Sequence, residues 1–388
     1  MTGPGAGTPA QTQTQTSPSG GAGLVRHAIA ASAPTGRKRG STLLRTLGLT
    51  VLVVGIILLS TYRLQTYYDY VEATIAAYLC AVAGLTVLTG INGQVSLGHS
   101  ALMAVGAYTA AMMQTAFNEH NALSQWSLLY SLAGAVVATS IVGVVIGLAA
   151  ARLRGPYLAG LTLAIVVVVP AIASEFSNTF HGDQGLQVPV LPPPAALGEA
   201  FPNEQWQAWF ATICAGVVMF FLANIVRSRY GRQMRAVRDN EVAAQLAGVH
   251  VARTQVVAFV VSAACAGLGG GALGAINQAV TPDGYSLQLS LYLLLAIVLG
   301  GLGSLVGAIW GSVAVVYLPI LASDVIPDSA SNLKGNLPLA IFGLALIVIA
   351  ILAPGGLQGL LRRVGRAVRS RNASGDAQAP SQPPEVTG

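Results

Sequence analysis

Charge is what this sequence has least of. Asp, Glu, Lys and Arg together make up 9% of its 388 residues, against roughly a quarter in an ordinary soluble domain. With 53% of the chain hydrophobic, too few polar groups remain to cover a water-facing surface, so the bilayer is the expected solvent. Lysine is nearly missing. Lys38 and Lys334 are the only two, and neither stands in a G-x-x-x-x-G-K-S/T loop, so the chain does not cradle and hydrolyse a nucleoside triphosphate by that route. Cys80, Cys214 and Cys265 fall in separate apolar runs without metal-ligand spacing. They are expected as buried free thiols, and neither a metal nor a cofactor is expected. No basic cluster is interleaved with aromatics, so the net charge of +6 does not point to nucleic acid. Residues 1–40, with "QTQTQT" among Gly, Pro and Thr, lack the apolar core of a signal peptide.

What the chain has in quantity is long apolar runs. Ten are long enough or nearly so to cross a membrane: 44–61, 71–90, 97–116, 128–150, 157–176, 207–226, 256–276, 289–302, 304–321 and 337–353. The expected fold is all-α, a polytopic membrane protein of about ten transmembrane helices. The Gly-rich "GGLGS" near 300 leaves open whether 289–321 is two helices or one broken helix, and Pro170 predicts a kink in the fifth span. Arginines gather between alternate spans, at Arg152, Arg154 and then Arg227 to Arg253. Acids such as Asp69, Glu119, Glu175, Asp183 and Asp283 gather between the others. Positive charge resists translocation, so both termini are expected in the cytoplasm. The domains expected are a disordered cytoplasmic tail over 1–43, a transmembrane domain over 44–354 with a cytoplasmic loop at 227–255, and a basic, then disordered, cytoplasmic tail over 355–388. Glycine pairs four apart, such as Gly143 with Gly147 and Gly267 with Gly271, suit close helix packing within the chain.

No Asp, Glu, Lys or Arg lies deep inside a predicted span. Intramembrane carboxylates or histidine relays drive many carriers, yet His99 is the one ionisable group well inside the expected bundle. The most polar intramembrane stretch is "NGQVSLGHSALMAVGAY". Its glycines can break a helix at depth, which is tolerated where the freed backbone lines a cavity or is buried in protein. Gln94, Ser96, His99 and Ser100 are therefore candidates for a polar translocation path. A tightly packed corner fits the same residues. Ser96 and His99 as a catalytic pair is a third possibility, without an evident orienting group or oxyanion site.

The stretch "VRDNEVAAQLAGVHVARTQ" is a polar, helix-forming island between two apolar runs. Asp239 or Asn240 can cap a short helix, Glu241 complements its positive end, and Gly248 stops it. Ala243, Ala244 and Ala247 leave it little side-chain bulk, so it can seat closely in a groove of another protein. The flanking arginines, Arg238 among them, are expected to hold the loop near anionic membrane lipid or to pair with acids on that protein. An interfacial helix lying on the bilayer fits less well, because its apolar face of Val237, Val242 and Leu246 is thin.

"EVAAQLAG" resembles the E-A-A-x-x-x-G coupling motif of ABC importer permeases, with Glu241, Ala243, Ala244 and Gly248 on the key positions and Val242 inserted. The longer stretch from "RQMRAVRDN" to "GGGALGA" resembles the M-type permease subunit of branched-chain amino-acid ABC importers. So do "GLTVLTGINGQVSLGHSALMAVGAYTAA", "RLRGPYLAGLTLA" and "GDQGL". The likeness runs over residues 70–355. It implies a permease subunit in a prokaryotic plasma (inner) membrane, without an ATPase site of its own, importing branched-chain or other small neutral amino acids. Partners implied are a second permease subunit, two ATP-binding cassette subunits that use the ATP, and an extracellular or periplasmic solute-binding protein. ATPase coupling would fall to Arg238, Asp239, Glu241, Ala243, Ala244 and Gly248. The fifth span reads "AIVVVVPAIA", where family members often carry polar or charged residues, a departure that bears on the substrate more than on the mechanism. Urea or a short amide, imported by the same architecture, is the alternative cargo. A proton-coupled carrier using His99 is the alternative mechanism.

Overall fold

The computed structural model describes residues 39–63, 65–153, 155–198 and 201–324, with short pieces at 343–344, 347–348, 351 and 356–360. The chain divides into two units, Met1–Arg45 and Thr46–Gly388; the tails at 1–38 and 361–388 lie outside the described residues. The architecture is an all-α bundle. Its helices are α1 (Arg39–Ser60), α2 (Thr66–Leu85), α3 (His99–Glu119), α4 (Gln125–Ala150), α5 (Pro156–Glu175), α6 (Asn203–Arg227), α7 (Arg229–Asp239), α8 (Glu241–Leu246), α9 (Val251–Asn277), α10 (Leu287–Gly300) and α11 (Leu305–Asp324). A two-residue antiparallel pairing, Leu186 with Val280 and Gln187 with Ala279, ties the loop after α5 to the end of α9. "GDQGL" supplies one side of it, and Gly185 (φ +71°) fits because a Cβ there would strike the Val280 carbonyl.

Among the described residues six helices are long and apolar enough to cross a membrane, rather than the ten expected of the chain: Thr66–Ile91, Gln125–Ala150, Pro156–Glu175, Asn203–Arg227, Val251–Asn277 and Asp283–Gly300. Three more of the expected runs are helical but differ in length or polarity. The apolar parts of α1 and α11 are shorter, Thr46–Leu59 and Leu305–Leu321. Helix α3 has 21 residues but ends in the polar "QTAFNE", for a reason its position supplies below. The run 337–353 falls largely outside the described residues. Helix α5 starts with Pro156 in its first turn and carries Pro170 within it. Helices α10 and α11 are separate, turning back through Gly301 (φ +112°) and Gly303 (φ +78°), which settles the alternative at "GGLGS".

Helix α9 is the axle of the bundle. Of its 27 residues, those facing inward are Ala, Gly, Ser, Cys and a few larger side chains, and it packs on α2, α3 and α4 at once. Close approach requires glycine here. A Cβ on Gly106 would lie 2.5 Å from the Gly267 Cα, and one on Gly270 would overlap the Met103 carbonyl. Gly143 and Gly147 of α4 face Ala263 and Val256 of α9. The spaced glycines thus serve packing inside one chain, where backbone proximity gains dispersion energy that lipid does not offer.

Candidate functional site

Helix α2 runs on through a π-helical turn, Thr86–Ile91, making 26 residues in all, or about 39 Å at 1.5 Å per residue. A π-turn widens the ladder and leaves carbonyls without intrahelical donors, a device common at functional sites. Here Asn92 N–H reaches back to the Val87 carbonyl (3.0 Å), and Gln94 N–H to that of Leu88 (3.1 Å). The chain then reverses at Gly93 (φ +80°).

Residues 92–98 run back alongside α2. The His99 ring Nε2 is 3.0 Å from the Ala81 carbonyl. Ala81 lies ten residues before Ile91, hence roughly 15 Å up the helix. The extended segment therefore climbs back into the bundle, and α3 begins near mid-depth. That position explains the polarity of α3, because a helix of its length starting there carries its last turns out beyond the spanning region. On the way, Leu97 N–H donates to Thr162 Oγ1 of α5 (3.1 Å), and a Cβ on Gly98 would lie 2.5 Å from the Thr162 carbonyl.

At the mid-depth start of α3, Ser100 N–H donates to Ser290 Oγ of α10 (3.0 Å), and the two hydroxyls are 2.7 Å apart. Helix starts leave N–H groups unpaired; here another helix supplies the cap. Ser290 is a contact of the candidate site that sequence reasoning missed, although a lone hydroxyl in "LQLSLYLLL" is a usable signal. Ser96, His99, Ser100 and Ser290 are buried, Gln94 is half-buried, and Val95 beside it is exposed. Asn92 (both amide atoms), Gln94 Oε1 and His99 Nδ1 are buried without a hydrogen-bond partner among the described residues. Ser290→Ala removes the cap on α3 and should cost about 1–2 kcal/mol. Thermal denaturation in detergent should show a melting temperature lower by a few degrees; an unchanged curve would remove Ser290 from this role.

The polar island between the two apolar runs forms as two helices. Helix α7 buries Gly231, Met234 and Val237 at a spacing of three and turns its arginines outward. Some of those arginines serve the loop itself: Arg235 Nη2 donates to the Val226 carbonyl (3.2 Å), and Arg238 Nη1 to the Gly90 carbonyl (2.8 Å). Of the two capping candidates, Asn240 acts, its Oδ1 accepting from Ala243 N–H (2.9 Å). Asp239 pairs instead with Arg238 at 2.9 Å. Helix α8 stops at Gly248 (φ +80°). There Gly248 N–H bonds the Gln245 carbonyl and Val249 N–H that of Ala244, each at 2.9 Å, the paired closure of a Schellman stop.

Ala244 is the buried residue of α8, packed with Val237 and Val251. Ala243, Val242, Leu246 and Gly248 face outward, Leu246 with 86% of its surface exposed. Gln255 Nε2 of α9 donates to Glu241 Oε1 (3.1 Å), joining the short helix to a core helix. A cleft of about 500 Å³, lined by residues that include Gln245, His250 and Arg253, opens beside it. Arg238, Asp239, Glu241, Ala243, Ala244 and Gly248 thus lie together in one loop. Gln94, Ser96, His99 and Ser100 lie along the re-entrant segment and the helix start it leads to. From the first group, Arg238 reaches the Gly90 carbonyl, four residues before Gln94.

A family model described as "Branched-chain amino acid transport system / permease component" matches residues 67–350. The high-affinity branched-chain amino acid transport system permease protein LivM of Salmonella typhimurium is 28% identical over 270 residues, covering 64% of this chain and 61% of the relative. LivM of Escherichia coli is 27% identical with the same coverage. LivH of Escherichia coli is 24% identical over 308 residues, covering 77% of this chain and 96% of the relative. The match thus spans less than two thirds of the LivM relatives' length. No solved structure matches the chain. The apolar helices and bacterial relatives make it a multi-pass protein of the inner membrane. From its match over most of its length, the chain belongs to the family of branched-chain amino-acid transport system permease components.

Proposed function

We propose that this chain is a transmembrane permease subunit of an ATP-driven importer for branched-chain or other small neutral amino acids. In the assembly it pairs with a second permease subunit. Two ATPase subunits bind at its cytosolic face, and an extracellular or periplasmic binding protein delivers the solute. One observation carries this proposal: α8 is a preformed short helix that presents an apolar face outward from the loop, while Glu241 and Arg238 connect it inward to α9 and to the broken end of α2. Such a helix serves a partner that pushes on it. Its exposed face of Val242, Ala243 and Leu246, with the cleft beside it, is the seat for an ATPase subunit.

The path follows the re-entrant segment, with Gln94, Ser96, His99 and Ser100 along it. Buried amide and imidazole atoms left without partners cost roughly 1–3 kcal/mol each unless water or solute meets them, which supports a polar route there. A zwitterionic solute passes such a route without a fixed charge to hold it. The finer topology belongs to the same proposal: about ten spans over 44–354, a cytoplasmic loop at 227–255, and cytoplasmic tails at 1–43 and 355–388. The arginine-rich loops favour that orientation.

The test is uptake into proteoliposomes holding the permease pair and both ATPases, with the binding protein outside. Radiolabelled leucine should accumulate only with internal ATP and binding protein together. Accumulation by this chain alone under a pH gradient would overturn the proposal. Uptake of urea or acetamide in place of leucine would keep the machine and change the cargo.

A further inference from the structure

We propose that Arg238 is the mechanical joint between the cytosolic loop and the membrane-embedded break, a positioning residue that makes movement of α8 move residues 90–95. This rests on the importer function above and names the link through which its coupling passes.

Three backbone reversals or breaks surround one guanidinium. Gly90 sits in the π-turn that ends α2, and its carbonyl accepts from Arg238 Nη1 at 2.8 Å. Gly93 holds the left-handed turn that starts the re-entrant segment, and a Cβ there would lie 2.5 Å from Arg238 Cγ. Gly303 holds the reversal between α10 and α11; a Cβ there would lie 3.0 Å from the Gly90 carbonyl oxygen and 3.9 Å from Arg238 Nη1. The arginine stem thus lies across the re-entrant chain, with its head on the carbonyl end of α2. A cation suits that end, where the helix dipole is negative and carbonyls lack intrahelical donors.

The other edge of the guanidinium is fixed as well. Nε and Nη2 both donate to Asp239 Oδ1, at 3.0 and 2.9 Å. A planar fork held on two edges has a set orientation, which a lysine ammonium lacks. Asn240 follows directly and caps α8. From the Gly90 carbonyl to the first turn of α8 the link is therefore three consecutive residues. The Arg238 and Asp239 side chains are 41% and 65% exposed, and an ion pair so open to water adds little stability. Its geometry is what it contributes. Beyond Gly93, the chain leads through Gln94 and Ser96 to the His99 and Ser100 start of α3, so displacement of the joint reaches the mid-depth layer directly.

The experiment uses the assembled importer in proteoliposomes and reads leucine taken up per ATP hydrolysed. Arg238→Met should lower that ratio by about tenfold while ATP hydrolysis stays within about twofold of the parent. Asp239→Asn keeps the Gly90 bond and loosens the fork, and should fall between the two. A cap that only stabilises the fold would lower uptake and hydrolysis together, so an unchanged ratio overturns the proposal. Should Arg238→Met fail to assemble, spin labels at Val95 and at Ala236, which is exposed on the loop outside the proposed ATPase seat, decide the matter in the otherwise unaltered complex. Their separation should hold within about 2 Å between nucleotide-free and ATP-bound states while both move relative to a label on α4; a larger change in their separation overturns the joint. A parent complex with no ATP-driven uptake overturns the importer function and this inference together, an outcome distinct from an active parent with an unchanged variant ratio.

Discussion

Glu241→Arg should lower ATP-driven leucine uptake by about tenfold or more in the reconstituted complex. The residue stands in the first turn of α8 and accepts from Gln255 Nε2 at 3.1 Å. Arginine there breaks that tie and sets a cation against the positive end of the helix. The helix-end effect alone is roughly 1 kcal/mol, too small to unfold a bundle whose core lies elsewhere. The loss should therefore appear in coupling. Hydrolysis by the complex should cease to respond to solute-loaded binding protein, while chromatographic behaviour of the purified chain stays as in the parent. Full uptake with solute-stimulated hydrolysis intact would remove Glu241 from the coupling site.

The largest structural effect is expected at Gly270. A Cβ there overlaps the Met103 carbonyl and lies 2.7 Å from its carbonyl carbon and 2.8 Å from its Cα. All three are backbone atoms, so no side chain can swing aside. Overpacking ordinarily costs about 1–3 kcal/mol; parting two core helices belongs above that range. Gly270→Val should give aggregated or unstable protein, read by size exclusion and thermal denaturation. Gly160→Val is the control, since a Cβ on Gly160 meets nothing within 4 Å. Equal stability of both variants would mean that α3 and α9 do not approach as described.

The polar island at 237–255 was the most legible part of the chain, because caps and stops are local. Asn or Asp before Glu241, three alanines and a glycine specify a short closed helix from residue types alone, and only the choice of Asn240 over Asp239 needed three dimensions. Depth was not legible. An apolar run reports that a helix avoids water and not where along the membrane normal it begins. Residues 97–116 therefore read as an ordinary span, although α3 starts about 15 Å inside the end of α2. Partners of the arginines were hidden for a related reason. Arg238 binds a carbonyl, which every residue carries, so no side-chain pattern marks Gly90 as its acceptor. Ser290 was hidden because the N–H it caps lies 190 positions away.

Helix α8 is closed at both ends, by Asn240 at its start and by the paired carbonyl bonds at Gly248. Ordering a backbone residue during association costs about 1–2 kcal/mol. A six-residue segment that is already shaped spares an incoming protein most of that entropic toll. If α8 is the seat proposed above, recognition there has the character of a rigid key meeting its lock, and affinity depends on surface fit more than on folding at the moment of contact.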